Sequence, residues 1–542
     1  MANAASTFKA QKPLVSKLPW EQILDDSTLL SVLFGDVLEA YIMEQRWYGG
    51  KSSQLKYIEL AEFFKLQQGS ELYYGLILEV NFVEAFYQHY FLPIAFVTKT
   101  DIAEQERILA ININEDLGYI VDATHLESFR KMIFERILTA ETVDRTSVQY
   151  HKSASLKNIK YESSRFLTQE QSNTSIIYNE NYVLKFFRRI FADKNPDYEM
   201  SRFLSEKKGF INTPKYLGSI NVVNVENELL TIALMQELVQ NTGNAWCYMC
   251  GELERIFQIF KQKHIDLDKI PKTERYTRLS LKDIPYGLVD WVGLDFLLSI
   301  QNLAKRTAEM HIALASGFEE TAFTPTHYNG DYEVWLKNRL LYQFQNRLNI
   351  IENNLNKLNG LALQLAQELR DNKNSIRKRF TNFDWTKLKG QRTRIHGDYH
   401  LGQILMCNND FYILDFEGEP ESTIRDRKVK QPPLKDVAGL FRSFHYAIYS
   451  VIFGFSKKDN GSLEQLFTAG ELLYDYIMGL FLETYVSIVR DANLNIGYHQ
   501  ERIFLLKYAL LEKAVYELGY ELNSRPNWAI IPLKGISNII NN

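Results

Sequence analysis

At 542 residues the chain is too long for one hydrophobic core and should divide into two or three domains. Hydrophobic residues make up 46% and charged residues 24%, an ordinary globular balance, and a net charge of -4 gives no bulk attraction to nucleic acid or an anionic membrane. The start, Met1-Ala2-Asn3-Ala4-Ala5-Ser6, has no basic region followed by an apolar run, so a signal peptide is not expected. No uninterrupted apolar stretch reaches membrane-spanning length, and 448–455 reads as part of a core helix. The three cysteines include Cys247-Tyr248-Met249-Cys250, which lacks the second pair of a zinc site; their low number points to a reducing compartment. A cytoplasmic monomer is expected.

Taken in chain order, residues 20–45 read as helical, with Leu29, Leu30, Leu33 and Leu38 on one side. Residues 57–65, 71–80 and 84–98 are rich in aromatic and β-branched residues and read as strands, with a turn at Gln68-Gly69-Ser70. A helix follows over 124–138, capped by Asp122 or Thr124. This α+β block, residues 1–145, is expected to form a domain of its own.

Residues 146–240 form a second strand-rich block. Its polar turn Gln171-Ser172-Asn173-Thr174-Ser175 precedes the strand Tyr182-Val183-Leu184-Lys185-Phe186-Phe187. A short helix over 197–204 and a buried strand at Thr231-Ile232-Ala233-Leu234-Met235 come next. A lysine on an apolar strand, one strand after a turn rich in hydroxyl and amide donors, has the placement that reaches nucleotide phosphates in kinases. Its expected partner is Glu199, and Gln236-Glu237-Leu238-Val239 would be the hinge that meets adenine. Arg188 and Arg189 read as surface charge.

Residues 241–542 read as mainly helical around one hairpin. His396-Gly397-Asp398-Tyr399-His400-Leu401-Gly402-Gln403 is followed by two short strands, Ile404-Leu405-Met406 and Phe411-Tyr412-Ile413-Leu414, and then by Asp415-Phe416-Glu417. A phosphotransferase needs a carboxylate to accept a hydroxyl proton, and oxygen ligands for the magnesium on its nucleotide. Asp398 is the candidate base, with Gln403 and Asp415 as the candidate metal ligands. Asp436 reads as the cap of the helix that follows.

The acceptor side reads from the C-terminal helix. Leu511, Val515, Leu518 and Leu522 recur at helical spacing, and the other face carries Lys513, Tyr516, Glu517 and Tyr520. An amphipathic helix explains the apolar stripe. It explains less well two tyrosines and a Lys–Glu pair within two turns of the polar face.

Arg394-Ile395-His396-Gly397-Asp398-Tyr399-His400-Leu401-Gly402-Gln403-Ile404-Leu405 and Asp415-Phe416-Glu417-Gly418-Glu419-Pro420 resemble the bacterial maltokinases. So do Leu434-Lys435-Asp436-Val437-Ala438-Gly439-Leu440-Phe441-Arg442-Ser443-Phe444, the stretch around Glu512-Lys513-Ala514-Val515-Tyr516-Glu517, and the N-terminal Gln45-Arg46-Trp47-Tyr48-Gly49-Gly50-Lys51. The resemblance implies a bilobal, protein-kinase-like α+β fold of the aminoglycoside phosphotransferase type, with an N-terminal α+β cap. It implies ATP with Mg²⁺, phosphorylation of maltose at its anomeric hydroxyl, and a metabolic link to a trehalose synthase and to α-glucan formation. Gln171, Ser172, Asn173, Thr174, Ser175, Lys185, Glu199, Gln236 and Leu238 would serve the nucleotide. His396, Glu417, Lys513, Tyr516, Glu517 and Tyr520 would serve the sugar. A kinase of the same fold acting on glucosamine or an aminoglycoside is the nearest alternative, and a pseudokinase or carbohydrate-binding regulator the non-enzymatic one. Retention of Lys185, Asp398, Gln403 and Asp415 together weighs against the latter.

Overall fold

The computed structural model describes residues 13–51, 53–98, 102–140, 148–167, 172–381, 388–420, 422–456 and 463–541. Gln171 and the first six residues lie outside them. The chain forms two compact units, one of Met1–Arg202 with Lys215–Val239, the other of Phe203–Pro214 with Gln240–Asn542.

The first unit is built on two sheets. Its seven-stranded sheet runs Leu14–Ser16, Arg107–Ile113, Asp116–Asp122, Tyr87–Val97, Glu71–Phe82 and Leu55–Gln68, and Arg189–Ile190 adds to the Tyr87–Val97 strand. The hairpin Arg107–Ile113 with Asp116–Asp122 was not expected from sequence. Its two-residue turn places Asn114 and Glu115 at positive φ, which matches strand twist but is unusual for Glu. The expected helix over 20–45 is broken into Ser27–Val32 and Leu38–Glu44 around an irregular turn at Gly35.

The six-stranded sheet runs Val148–Lys152, Tyr216–Val223, Leu229–Glu237, Tyr182–Phe186, Thr174–Tyr178 and Ser164–Phe166. Ser175 and Lys185 stand opposite each other in this ladder. The helix Glu127–Thr139 packs Phe129, Ile133 and Ile137 into the core that this sheet shares with one side of the first.

The second unit is helical. Leu463–Asp491 packs along Leu294–Leu314, and His499–Ser524 lies against both Leu434–Ser456 and Gly330–Asn354. Leu463–Asp491 is long and apolar enough to cross a membrane, but most of its apolar stretch is buried inside this unit. The expected hairpin forms from Ile404–Cys407 and Asp410–Ile413, with Asn408 and Asn409 both at positive φ in its turn. Asparagine tolerates that conformation better than most residues, so the turn can be tight. Arg306 holds the hairpin by donating to Asp410 at 2.7 and 2.8 Å. Asn212 and Thr213 donate to the carbonyls of Phe411 and Ile413.

Candidate active site

In the first unit Lys185 is buried, and its Nζ lies 3.2 Å from Asp197 Oδ2. Asp197 opens the helix Pro196–Arg202; Asn195 Oδ1 accepts from its backbone N–H, and Ser201 donates to its other oxygen. The carboxylate paired with the lysine thus stands two residues before Glu199, the expected partner. A residue in the helix's first turn is close enough to meet a lysine from the adjoining strand.

Arg188 departs from the surface reading. It is fully buried rather than on the surface, where an unpaired guanidinium would be costly. It donates to Asp122 Oδ2 at 2.7 Å, to Thr124 Oγ1 at 3.0 Å and to Thr174 Oγ1 at 2.8 Å, and its guanidinium lies 5.1 Å from the centre of the Trp47 ring. One arginine therefore joins the polar turn, the Asp122 cap and the N-terminal Trp47 segment. Gln236 donates to Ser201 Oγ, and the Leu238 N–H donates to the Asn181 carbonyl at 2.8 Å. The Leu238 N–H is already committed, so it is not a donor for a purine.

In the second unit Asp436 organises the loop before the hairpin. Its two oxygens accept from the backbone N–H groups of His396 (2.7 Å) and Gly397 (2.9 Å), and His311 Nε2 donates to it at 3.0 Å. Asp436 is thus a loop anchor within the first turn of Leu434–Ser456, not its N-cap. The same helix approaches the loop so closely that a Cβ on Gly439 would lie 2.7 Å from the Tyr399 carbonyl. Tyr399 OH meets Thr307 Oγ1 at 2.8 Å, and Ser443 Oγ accepts from the Leu401 N–H.

His396 is buried, and its Nε2 donates to the Leu414 carbonyl at 2.8 Å. It ties the loop to the end of the hairpin instead of meeting a sugar, which corrects the expectation. Gln403 Nε2 donates to Asp415 Oδ2 at 2.8 Å, so the two expected metal ligands do converge. Asp415 has φ +61°, a left-handed conformation uncommon for a non-glycine residue and often met at functional sites. An amide oxygen beside a carboxylate suits Mg²⁺, which prefers hard oxygen donors.

Asp398 lies beside the C-terminal helix. Lys513 Nζ is 3.3 Å from Asp398 Oδ1 and 2.9 Å from Glu419 Oε2, and His400 Nε2 is 3.7 Å from Asp398 Oδ2. Burial alone would raise the Asp398 carboxyl. His400 and the Lys513 charge outweigh that and hold it well below the usual carboxylate range. Burial would likewise lower Lys513, but Asp398 and Glu419 keep it above its ordinary value.

Two cavities meet at this point. One of about 420 Å³ includes Asp398, Glu419, Asp426, Lys435, Glu512 and Lys513 in its wall. The other, about 470 Å³, is lined by Trp246, His400, Tyr446, Glu517 and Tyr520 among others. Gly439, Lys513 and Tyr516 belong to both. Each is within the roughly 300–1,000 Å³ common for small-molecule sites. All four residues expected on the polar face of the C-terminal helix, Lys513, Tyr516, Glu517 and Tyr520, therefore do face cavities. Arg442 clamps Glu517 at 2.8–2.9 Å. Glu417 lines neither cavity; Glu419, two residues on, lines the first.

Sequence reasoning missed Asp197, Trp246, Tyr446, Glu512 and the helix Gly330–Asn354. Glu512 is buried and joined to Arg339 at 2.9 Å and to Lys435 at 3.2 Å. Its position one residue before Lys513 was the available signal.

Solved structures of glucosamine kinase resemble this chain over nearly its whole length. The complex with glucosamine, ADP and inorganic phosphate superposes with a TM-score of 0.59 at 14% identity, covering 94% of this chain and 98% of that one. A second crystal form gives 0.62 at 15% identity, covering 94% and 99%. The chain has the fold of glucosamine kinase. It is thus the kinase-like α+β fold expected from the sequence. A curated glucosamine kinase from Streptacidiphilus jiangxiensis is 24% identical over 146 residues, which is 27% of this chain and 31% of that protein. The chain therefore aligns with less than a third of that relative's length. No protein-family profile matches the chain.

Proposed function

We propose that the protein transfers the γ-phosphoryl group of ATP to a sugar hydroxyl, with maltose accepted at its anomeric position. The observation that carries this reading is Asp398, held in a loop anchored by Asp436, beside Lys513 where two cavities meet. One sugar ring in the first cavity would present its hydroxyl to Asp398, and the second cavity has room for another ring. The sugar oxygen forms its bond to phosphorus as the bond to the ADP oxygen breaks, and the hydroxyl proton passes to Asp398. Lys185 would hold the α- and β-phosphates. Gln403 and Asp415 would hold Mg²⁺, which when bound neutralises charge on the transferred phosphoryl group.

The wall of the first cavity carries the carboxylates of Asp398, Glu419, Asp426, Asp436 and Glu512, and its three cations are already paired. Lys513 is shared by Asp398 and Glu419, while Arg339 and Lys435 are committed to Glu512. An amino sugar such as glucosamine is the second reading, favoured by the likeness to glucosamine kinase. It would require a carboxylate able to meet an ammonium group, and Asp426 is the best placed in that wall.

Release of ADP measured across maltose, glucose, glucosamine and kanamycin, with products assigned by phosphorus and carbon NMR, decides between these. The expected product is maltose 1-phosphate. Such a product would fit with a supply of maltose from a trehalose-isomerising enzyme and its use in building α-glucan. Turnover of glucosamine alone would favour the second reading. Full turnover in excess EDTA, or by Asp415→Ala, would reject the proposed phosphotransfer.

A further inference from the structure

We infer that the helix Gly330–Asn354 supplies a wall that selects the acceptor, with Tyr342 and Gln343 in direct contact with the sugar; this rests on the sugar-phosphotransfer reading above. The helix starts at Asn329, whose side chain accepts from the Tyr332 N–H. Tyr332, Leu336, Leu340, Phe344, Leu348 and Ile351 are buried along one face, which fixes the helix's rotation. Rotated that way, Arg339, Tyr342, Gln343 and Asn346 all line the cavity that holds Asp398. They are spaced i, i+3, i+4 and i+7, the spacing of a single helical stripe.

Three observations separate this stripe from an ordinary polar face. Arg339 is locked by Glu512, so the wall has a fixed end. Tyr342 is 70% exposed although it borders the cavity, which leaves an aromatic ring open at the mouth. The side-chain oxygen of Gln343 is shielded from water and accepts no hydrogen bond from the described residues. Unsatisfied shielded acceptors are uncommon in folded proteins. A terminal amide rotates easily, so this oxygen can turn to a donor that enters the cavity. A ring with hydroxyls on its edge and C–H groups on its face meets both needs, the hydroxyl at Gln343 and the face at Tyr342. No motif in this stretch of the sequence pointed to such a role.

The test compares the wild-type protein with Tyr342→Ala, Gln343→Ala and Gln343→Glu. Steady-state ADP release gives KM and kcat, and saturation-transfer NMR reports sugar binding independently of turnover. Gln343→Ala should raise the KM of the accepted sugar about three- to ten-fold, the loss of one hydrogen bond. Tyr342→Ala should raise it by a similar factor. The ATP KM and the saturated kcat should stay within two-fold of wild type, and Gln343→Glu, which keeps an acceptor oxygen, should retain most of the affinity. Unchanged sugar KM in both alanine variants would overturn the wall and leave phosphotransfer standing. Gln343-dependent sugar binding without any turnover would do the reverse, rejecting phosphotransfer and keeping the wall. Absence of both binding and turnover for every sugar tried would overturn the two together.

Discussion

Lys513 Nζ stands 3.3 Å from Asp398 Oδ1, an ion pair between the C-terminal helix and the loop before the hairpin. It places a cation beside the group proposed to take the sugar's proton. His400 and this cation together hold the carboxylate ionised at neutral pH in spite of its burial. A base with so low a pKa is weak toward a free hydroxyl. It can accept the proton late, as the sugar oxygen gains its bond to phosphorus, which suits a loose phosphoryl-transfer transition state.

Replacing Asp398 by Asn keeps the size of the side chain and removes the proton acceptor. Turnover should fall by about 10²–10⁴-fold, the usual contribution of a positioned base. Nucleotide binding, measured by calorimetry, should change little. Turnover near the wild-type value would take Asp398 out of the chemistry.

Lys513→Met separates charge from packing. In the wild-type protein the folded-state pKa of Asp398 lies below the unfolded value, so the carboxylate's contribution is complete above that unfolded value. It is lost only as pH falls through the folded one. Removing the lysine takes away one of the groups that offset burial; His400 still lowers the carboxyl, but burial, which raises it, is less fully opposed. The acid limb of the kcat/KM profile should therefore move to higher pH in Lys513→Met. An acid limb that stays in place, measured between pH 4 and 8, would mean that Lys513 does not set the ionisation of Asp398.

Asp436 gives a stability test. Its carboxylate accepts two backbone N–H groups and a histidine while almost fully buried. Hydrogen bonds to charged acceptors contribute roughly 1.5–3 kcal/mol each. Asp436→Ala leaves those donors buried without it and should cost about 3 kcal/mol or more in urea unfolding. Asp436→Asn keeps one acceptor and should cost less while still lowering kcat, because the loop carrying Asp398 loses an anchor. Equal stability of Asp436→Ala and wild type would show that other contacts hold the loop.

Local pattern made some of this architecture legible. The hairpin announced itself by two short apolar runs around Asn408-Asn409, and the C-terminal helix by its leucine stripe; both formed where expected. Asp398 and Gln403 precede that hairpin and Asp415 follows it, so closure of the hairpin brings Gln403 and Asp415 together. What could not be read were partnerships set by packing. Arg188 looks like any surface arginine until Asp122, from a strand 66 residues earlier, is brought to it. His396 carries the same motif whether its ring faces a substrate or the Leu414 carbonyl, and only the fold chooses. The wall on Gly330–Asn354 has no motif, because amides and a tyrosine at helical spacing also describe a solvated face.

The last prediction concerns Lys185 and Asp197. Both are buried, and their charges are 3.2 Å apart. Removing one partner of such a pair costs more than the pair contributes, because the remaining charge stays buried without its counterpart. Asp197→Asn should therefore lower stability, and it frees the lysine from its orienting carboxylate. Lys185→Ala removes the group proposed to meet the phosphates. If Lys185 serves the nucleotide, Lys185→Ala should raise the ATP KM about ten-fold or more and leave the sugar KM within two-fold of wild type. Asp197→Asn should change the ATP KM in the same direction by a smaller factor, since the lysine is still present but less well aimed. The opposite split, a raised sugar KM with ATP unaffected, would assign Lys185 to the acceptor. A loss of thermal stability in Lys185→Ala with both KM values unchanged would leave Lys185 and Asp197 as a structural ion pair within the strand-rich unit.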